Sequence, residues 1–140
     1  MSSDHQPSLA LAVRLRRVPP HAPVALWREL AQAAHALFTR EILPHFGLEE
    51  SRLFPALEQA GGGELVRRAL EEHAALRAGF ERFAALEASR DPQLAAALLA
   101  WSERLAAHIR FEERELFAFA QLHLPAAALA AVAAARPHKR

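Results

Sequence analysis

Apolar residues return every three or four positions along nearly the whole chain, the period of helices that bury one face. Leu94, Leu98, Trp101, Leu105, His108, Glu112, Leu116 and Phe119 form one such seam. Trp27, Ala31, Ala34, Phe38, Ile42, His45, Glu49, Leu53 and Ala56 form another. Each seam carries a histidine and, four residues on, a glutamate where the period calls for an apolar side chain. Four ionisable groups are thereby predicted to point into one interior. Burying a lone carboxylate or imidazolium costs on the order of several kcal/mol, so such groups pair, shift their pKa or bind metal.

The same period, read with its breakers, predicts five helices. Ser3 or Asp4 can cap a first helix over about 4–17, with His5, Leu9, Ala12 and Val13 on one face. The proline-rich stretch from Val18 to Pro23 ends it. A second helix covers about 24–59, with Pro44 and Pro55 inside it, each removing a backbone donor and bending or bulging the helix. Gly61-Gly62-Gly63 makes a short turn, and short turns join antiparallel neighbours. A third helix over about 64–88 turns Val66, Leu70, His73, Leu76, Arg77, Phe80 and Phe83 to the core side. Asp91 caps the fourth, about 92–122, with Pro92 in its first position. Pro125 opens a short alanine-rich helix to about 135, before a basic tail. The expectation is one all-α domain over 1–140, an antiparallel up-down four-helix bundle with a short C-terminal extra helix.

The rise of ~1.5 Å per helical residue tests whether these helices bring their polar seams to one depth. From Glu49 to the end of its helix, and from the start of the next to His73, is ~15 Å each. From His73 to the end of the third helix, and from the start of the fourth to His108, is ~22 Å each. The candidate residues therefore meet at one level, which His5 can also reach. His35 falls ~15 Å away from His45 and cannot share a site with it.

Composition narrows the chemistry. With no cysteine among 140 residues, disulfides, thiolate metal sites, iron–sulfur ligation and cysteine nucleophiles are all excluded. Tyrosine is absent too, which excludes a phenolate ligand. A net charge of +1, with basic residues interleaved among acidic ones, carries no nucleic-acid footprint. No apolar run reaches membrane-spanning length, and MSSDHQP lacks the pattern of a secretory leader, so a soluble cytoplasmic protein is expected.

The two seams also repeat one motif. HFGLEESRLF from His45 lies over HIRFEERELF from His108, with the histidine, both glutamates, leucine and phenylalanine in register. His5, His45, His73 and His108 supply one imidazole per helix, and Glu49 and Glu112 one carboxylate from each of two. Such a set suits two metal ions with bridging carboxylates. Nitrogen and oxygen donors without sulfur favour iron, then manganese or zinc. Glu50 and Glu113 stand one residue off the seam and are expected to be solvated or paired with arginines. Trp27 and Trp101 are expected in the core.

With Asp4-His5 and Glu72-His73 added, the doubled HxxxEE motif resembles the hemerythrin-like, or HHE cation-binding, domains. The resemblance runs over nearly the whole chain. It implies a four-helix bundle holding two iron ions, oxo- or hydroxo-bridged, with His5, His45, Glu49, His73, His108 and Glu112 as ligands. The small ligand implied is dioxygen or a relative such as nitric oxide or peroxide. Oxygen-carrying members have a second histidine one turn after the third-helix ligand, where this chain has Arg77. An arginine cannot ligate iron; it is expected to hydrogen-bond a bridging carboxylate or a bound anion, and Glu41 offers a substitute donor. Carriage, sensing, oxidant handling, enzymatic reduction of peroxide or nitric oxide, and iron storage stay open, and no catalytic residue is assigned. The remaining alternative is a metal-free helical interaction module. The protein partner is unknown.

Overall fold

The structure is a computed structural model and describes residues 6–19 and 21–135, the last five by backbone alone. The described residues are helical, without strands, and fall into five helices. Helix α1 is Gln6–Arg16. Helix α2 runs without interruption over 24–59, α3 is Gly63–Ala88, α4 runs over 94–123 and α5 is Ala126–Ala135. Helix α3 packs extensively along α4 and also against α2, while α1 lies mainly on α4. Helix α5 leans on residues 49–53 of α2 and the last turns of α4. Among the described residues, no helix is long and apolar enough to cross a membrane.

The glycine turn after α2 ends the helix by a paired capping arrangement. Gly61 adopts φ 97°, the left-handed region that favours glycine, letting Gly61 N–H reach Glu58 O at 3.1 Å and Gly62 N–H reach Leu57 O at 2.7 Å. Arg90 plays the part of Gly61 after α3, at φ 58°, with Asp91 N–H on Leu86 O at 2.9 Å. Asp91 Oδ1 then accepts from Gln93 N at 2.8 Å, and α4 begins at Leu94 rather than Pro92.

A Cβ on Gly62 would stand 2.8 Å from Phe119 Cε1 and 3.1 Å from the Leu57 carbonyl, whereas one on Gly63 would meet nothing. Gly62→Ala is therefore expected to destabilise by about 1–3 kcal/mol through overpacking. Gly63→Ala, at the first position of α3, is expected to be neutral or slightly stabilising. Urea unfolding of the two variants checks the contrast; equal stabilities would contradict it.

Two widened π turns in α2 answer its prolines. They span Phe38–Ile42 and Glu49–Leu53, closing with Leu43 N–H on Phe38 O and Phe54 N–H on Glu49 O. Pro44 and Pro55 follow directly, so each widening lies where the proline ring would press on the carbonyl four residues back. A third π turn, Glu112–Leu116, occurs in α4 with Ala118 in the matching place and no proline to account for it. Both motif copies thus share a widened turn that begins on their first glutamate.

The core forms two apolar layers. One gathers Leu15, Leu30, Phe38, Phe46, Phe83 and Trp101 around α1 and the first half of α2. The other gathers Leu53, Phe54, Leu57, Val66, Leu116 and Phe117. Trp27 and Trp101 are both buried, and Trp101 Nε1 donates to Leu76 O at 3.1 Å. Two seam assignments are corrected: Val13 and Leu70 are 42% and 43% exposed. Each sits at the border of its helix face, where a rotation of a few tens of degrees decides burial.

Candidate metal centre

Between the two apolar layers lies a polar one. Along α2 it is bounded by Phe46 and Leu53, along α3 by Ala69 and Leu76, and along α4 by Leu105 and Leu116. Glu49, His73, His108 and Glu112 fill it, none more than 2% exposed, and one ligand atom from each lies within 4.8 Å of all the others. His73 Nε2 stands 3.1 Å from Glu49 Oε1 and 3.9 Å from Glu112 Oε2. His108 Nε2 stands 3.1 Å from Glu112 Oε2. His45, at the margin and 15% exposed, brings Nε2 to 3.1 Å from Glu49 Oε2. The i, i+4 spacing of His45 with Glu49 and of His108 with Glu112 places each pair on one helix face.

These contacts are close but are not aligned as hydrogen bonds. His73 Nε2, His108 Nε2 and both oxygens of Glu49 are sealed from solvent with no hydrogen-bond partner. Buried polar atoms are seldom left so, because each forfeits its hydration. Lone pairs converging on one point suit a cation, and this donor set of imidazole nitrogens and carboxylate oxygens fits one chemically.

Electrostatics agree. Burial, and then the negative charge of Glu112, push the Glu49 carboxyl well above its ordinary range. Burial works against charge on His108, but Glu112 and Glu72 outweigh it and raise the imidazole to about 9. Burial likewise opposes charge on Glu50 and Glu72, yet Arg77 with His73 and His108 with Arg68, respectively, hold them below the ordinary carboxylate value.

The metal-free protein should therefore lose stability in alkali. Stability from His108 is fully present below its ordinary pKa of 6.5 and lost as pH rises through about 9, a loss of roughly 3 kcal/mol. Glu49, also raised, acts in the same direction from lower pH. Glu50 and Glu72, both lowered, contribute stability above the carboxylate range that is lost in acid. Metal binding has the opposite sign, since its ligands must shed protons. Melting curves at pH 6 and pH 10, with and without ferrous iron, are expected to show the stabilisation by iron growing with pH. A metal-free melting temperature that rises toward pH 10 would contradict the assignment.

His5 lies outside the described residues. Arg77 meets Glu50 rather than Glu49 or Glu112: its guanidinium clasps Glu50, at 3.0 and 3.2 Å, and lies 5.5 Å from the Phe46 ring centre. Glu50 is thus paired with an arginine, and it also meets His73 Nδ1 at 2.8 Å. Glu41 is half-buried in the first π turn and outside the four-residue cluster. His35 is exposed, 5.0 Å from the ring of Phe80. Sequence reasoning missed Glu72, whose Oε1 lies 2.6 Å from His108 Nδ1. The one signal was its place next to His73, which turns it toward a different neighbour. Phe46 stacks on His73 at 3.7 Å between ring centres, a contact the seam pattern does not specify.

An all-helical protein with histidines and carboxylates buried between two apolar layers is a metal-binding protein of the helical-bundle class. The chain belongs to the hemerythrin HHE cation binding domain family, whose pattern matches residues 1–120. No curated protein and no solved structure matches it.

Proposed function

We propose that the chain is a single-domain, antiparallel four-helix bundle with a short fifth helix, holding two iron ions and binding dioxygen or a related small ligand, nitric oxide or peroxide. The ligands in this reading are His5, His45, Glu49, His73, His108 and Glu112. The observation that carries it is the division of Glu49, one oxygen facing His73 and the other His45, each at 3.1 Å. A carboxylate so divided could serve two ions, and one histidine per helix would supply their nitrogen donors. His5 enters on its place in the sequence alone.

Bound iron would supply reversible ligand binding or electron transfer. The chain's own part is to hold and to exclude. The imidazoles would hold the ions, and Glu49 and Glu112 would offset their charge. Phe46, Phe54 and the layers above and below keep water out.

Metal analysis by mass spectrometry, with an absorption spectrum of the same aerobically purified protein, tests this. About two irons per chain, with near-ultraviolet charge-transfer bands, both lost in Glu112→Ala, are expected. No bound metal after anaerobic ferrous loading would sink the proposal and leave a helical interaction module.

A further inference from the structure

His73 and His108 present their rings in the same way. Nε2 faces the centre, and Nδ1 faces a carboxylate from the preceding helix: Glu50 Oε2 at 2.8 Å for His73 and Glu72 Oε1 at 2.6 Å for His108. Each carboxylate is held in turn by an arginine. Arg77 engages both oxygens of Glu50. Arg68 donates from Nε to Glu72 Oε2 at 3.0 Å, and from a terminal nitrogen to Glu115 at 3.3 Å. The arginine side chains are 40% and 51% exposed, and Arg68 also lies 4.1 Å over the Phe111 ring. Two chains of the same order, arginine to glutamate to histidine, run from the surface to the centre.

We infer that Glu50 and Glu72, anchored by Arg77 and Arg68, are the positioning residues of the metal centre, fixing His73 and His108 so that both Nε2 lone pairs face the metal. The inference rests on the metal-binding reading above. Neutral imidazole carries its proton on either nitrogen, and only the form with hydrogen on Nδ1 offers Nε2 to a metal. An ionised carboxylate accepts and cannot donate, so it draws the hydrogen to Nδ1 and fixes the plane of the ring. The arginines hold both carboxylates in place, and the fork of Arg77 also fixes the orientation of Glu50. The double glutamate at 49–50 thereby divides its work: Glu49 faces the centre, and Glu50 reaches across to the histidine of α3. Glu72 and His73 divide theirs in the same way, His73 inward and Glu72 toward α4.

The test is anaerobic competition for ferrous iron against a chromophoric chelator, with metal-free melting temperatures measured in parallel. Wild type is compared with Glu50→Leu, Glu72→Leu and the corresponding glutamine variants. The leucine variants are expected to bind iron about 10–100-fold more weakly. The glutamine variants, whose carbonyl can still accept from Nδ1, should recover part of that loss. Should a leucine variant fail to fold, Arg77→Met and Arg68→Met probe the same chains from their exposed ends, with a smaller loss of affinity expected. Wild-type affinity in variants whose metal-free melting temperature falls would overturn the inference, reducing the chains to structural ion pairs. Absence of iron binding by wild type would instead overturn the metal reading itself.

Discussion

Loading the metal-free protein with ferrous iron under anaerobic conditions is expected to raise its melting temperature by roughly 10–20 °C. A ligand that binds only the folded state stabilises it by about 2.7 kcal/mol when present at a hundred times its dissociation constant. The two ions of the proposed centre would contribute about twice that, and a domain of this size gains roughly 3 °C per kcal/mol. The unusual part of the expectation is its local origin. Four buried groups meet within 4.8 Å, and two carboxylates share the layer with the Nε2 atoms of His73 and His108, which make no hydrogen bond. A cation removes the repulsion and supplies the missing partner at once. Scanning calorimetry before and after loading, and again after chelation, checks the size and the reversibility. A shift below about 2 °C at saturating iron would mean that the polar layer is satisfied without metal.

Glu49→Gln is expected to move two measurements in opposite directions. Iron binding should weaken by more than the 10–100-fold typical of losing an outer partner, because the charged donor that the two ions of the proposed centre would share is gone. The metal-free protein should instead become more stable, by about 1–3 kcal/mol. The carboxyl of Glu49 is raised well above its ordinary range by burial and by Glu112, so its ionised form is costly at neutral pH. An amide of nearly the same shape carries no charge, donates from its nitrogen to the Nε2 of one of His45 and His73, and turns its oxygen, an acceptor, to the other; each Nε2 lies 3.1 Å from a Glu49 oxygen. Denaturant unfolding in the presence of chelator, paired with iron competition, reads both effects. A less stable metal-free variant would show that Glu49 serves the fold as a hydrogen-bond partner, and that the layer is not strained without metal.

That trade between stability and binding is visible in the seams themselves. Eight of the residues along α4 and nine along α2 follow one helical period, and the structure buries nearly all of them. His108 and Glu112 stand out in the sequence because each occupies a position that the period reserves for apolar side chains. Depth was legible as well, since the rise per residue is constant and the turns are short. Arg77 was not: the sequence placed it near the centre on the core side of α3, but its guanidinium is drawn off by Glu50, from another helix. Val13 and Leu70 show the same limit in apolar form, each on the edge of a face whose exact rotation depends on its neighbours.

The sequence by itself determined the helices, their turns and the inward direction of Glu49, His73, His108 and Glu112, because helical period and turn chemistry are local and act over a few residues. Only the tertiary structure decided what holds the histidines. Glu50 meets a histidine 23 residues away and Glu72 one 36 residues away, each from a position one step off the seam that periodicity marks as outward. The π turn at Glu112–Leu116 was decided in the same way, having no proline to announce it. Its partner at Glu49–Leu53 lies in the sister motif. Contacts between helices choose among side-chain directions and turn widths that are nearly equal in energy within one helix, and that choice is made only when the helices pack.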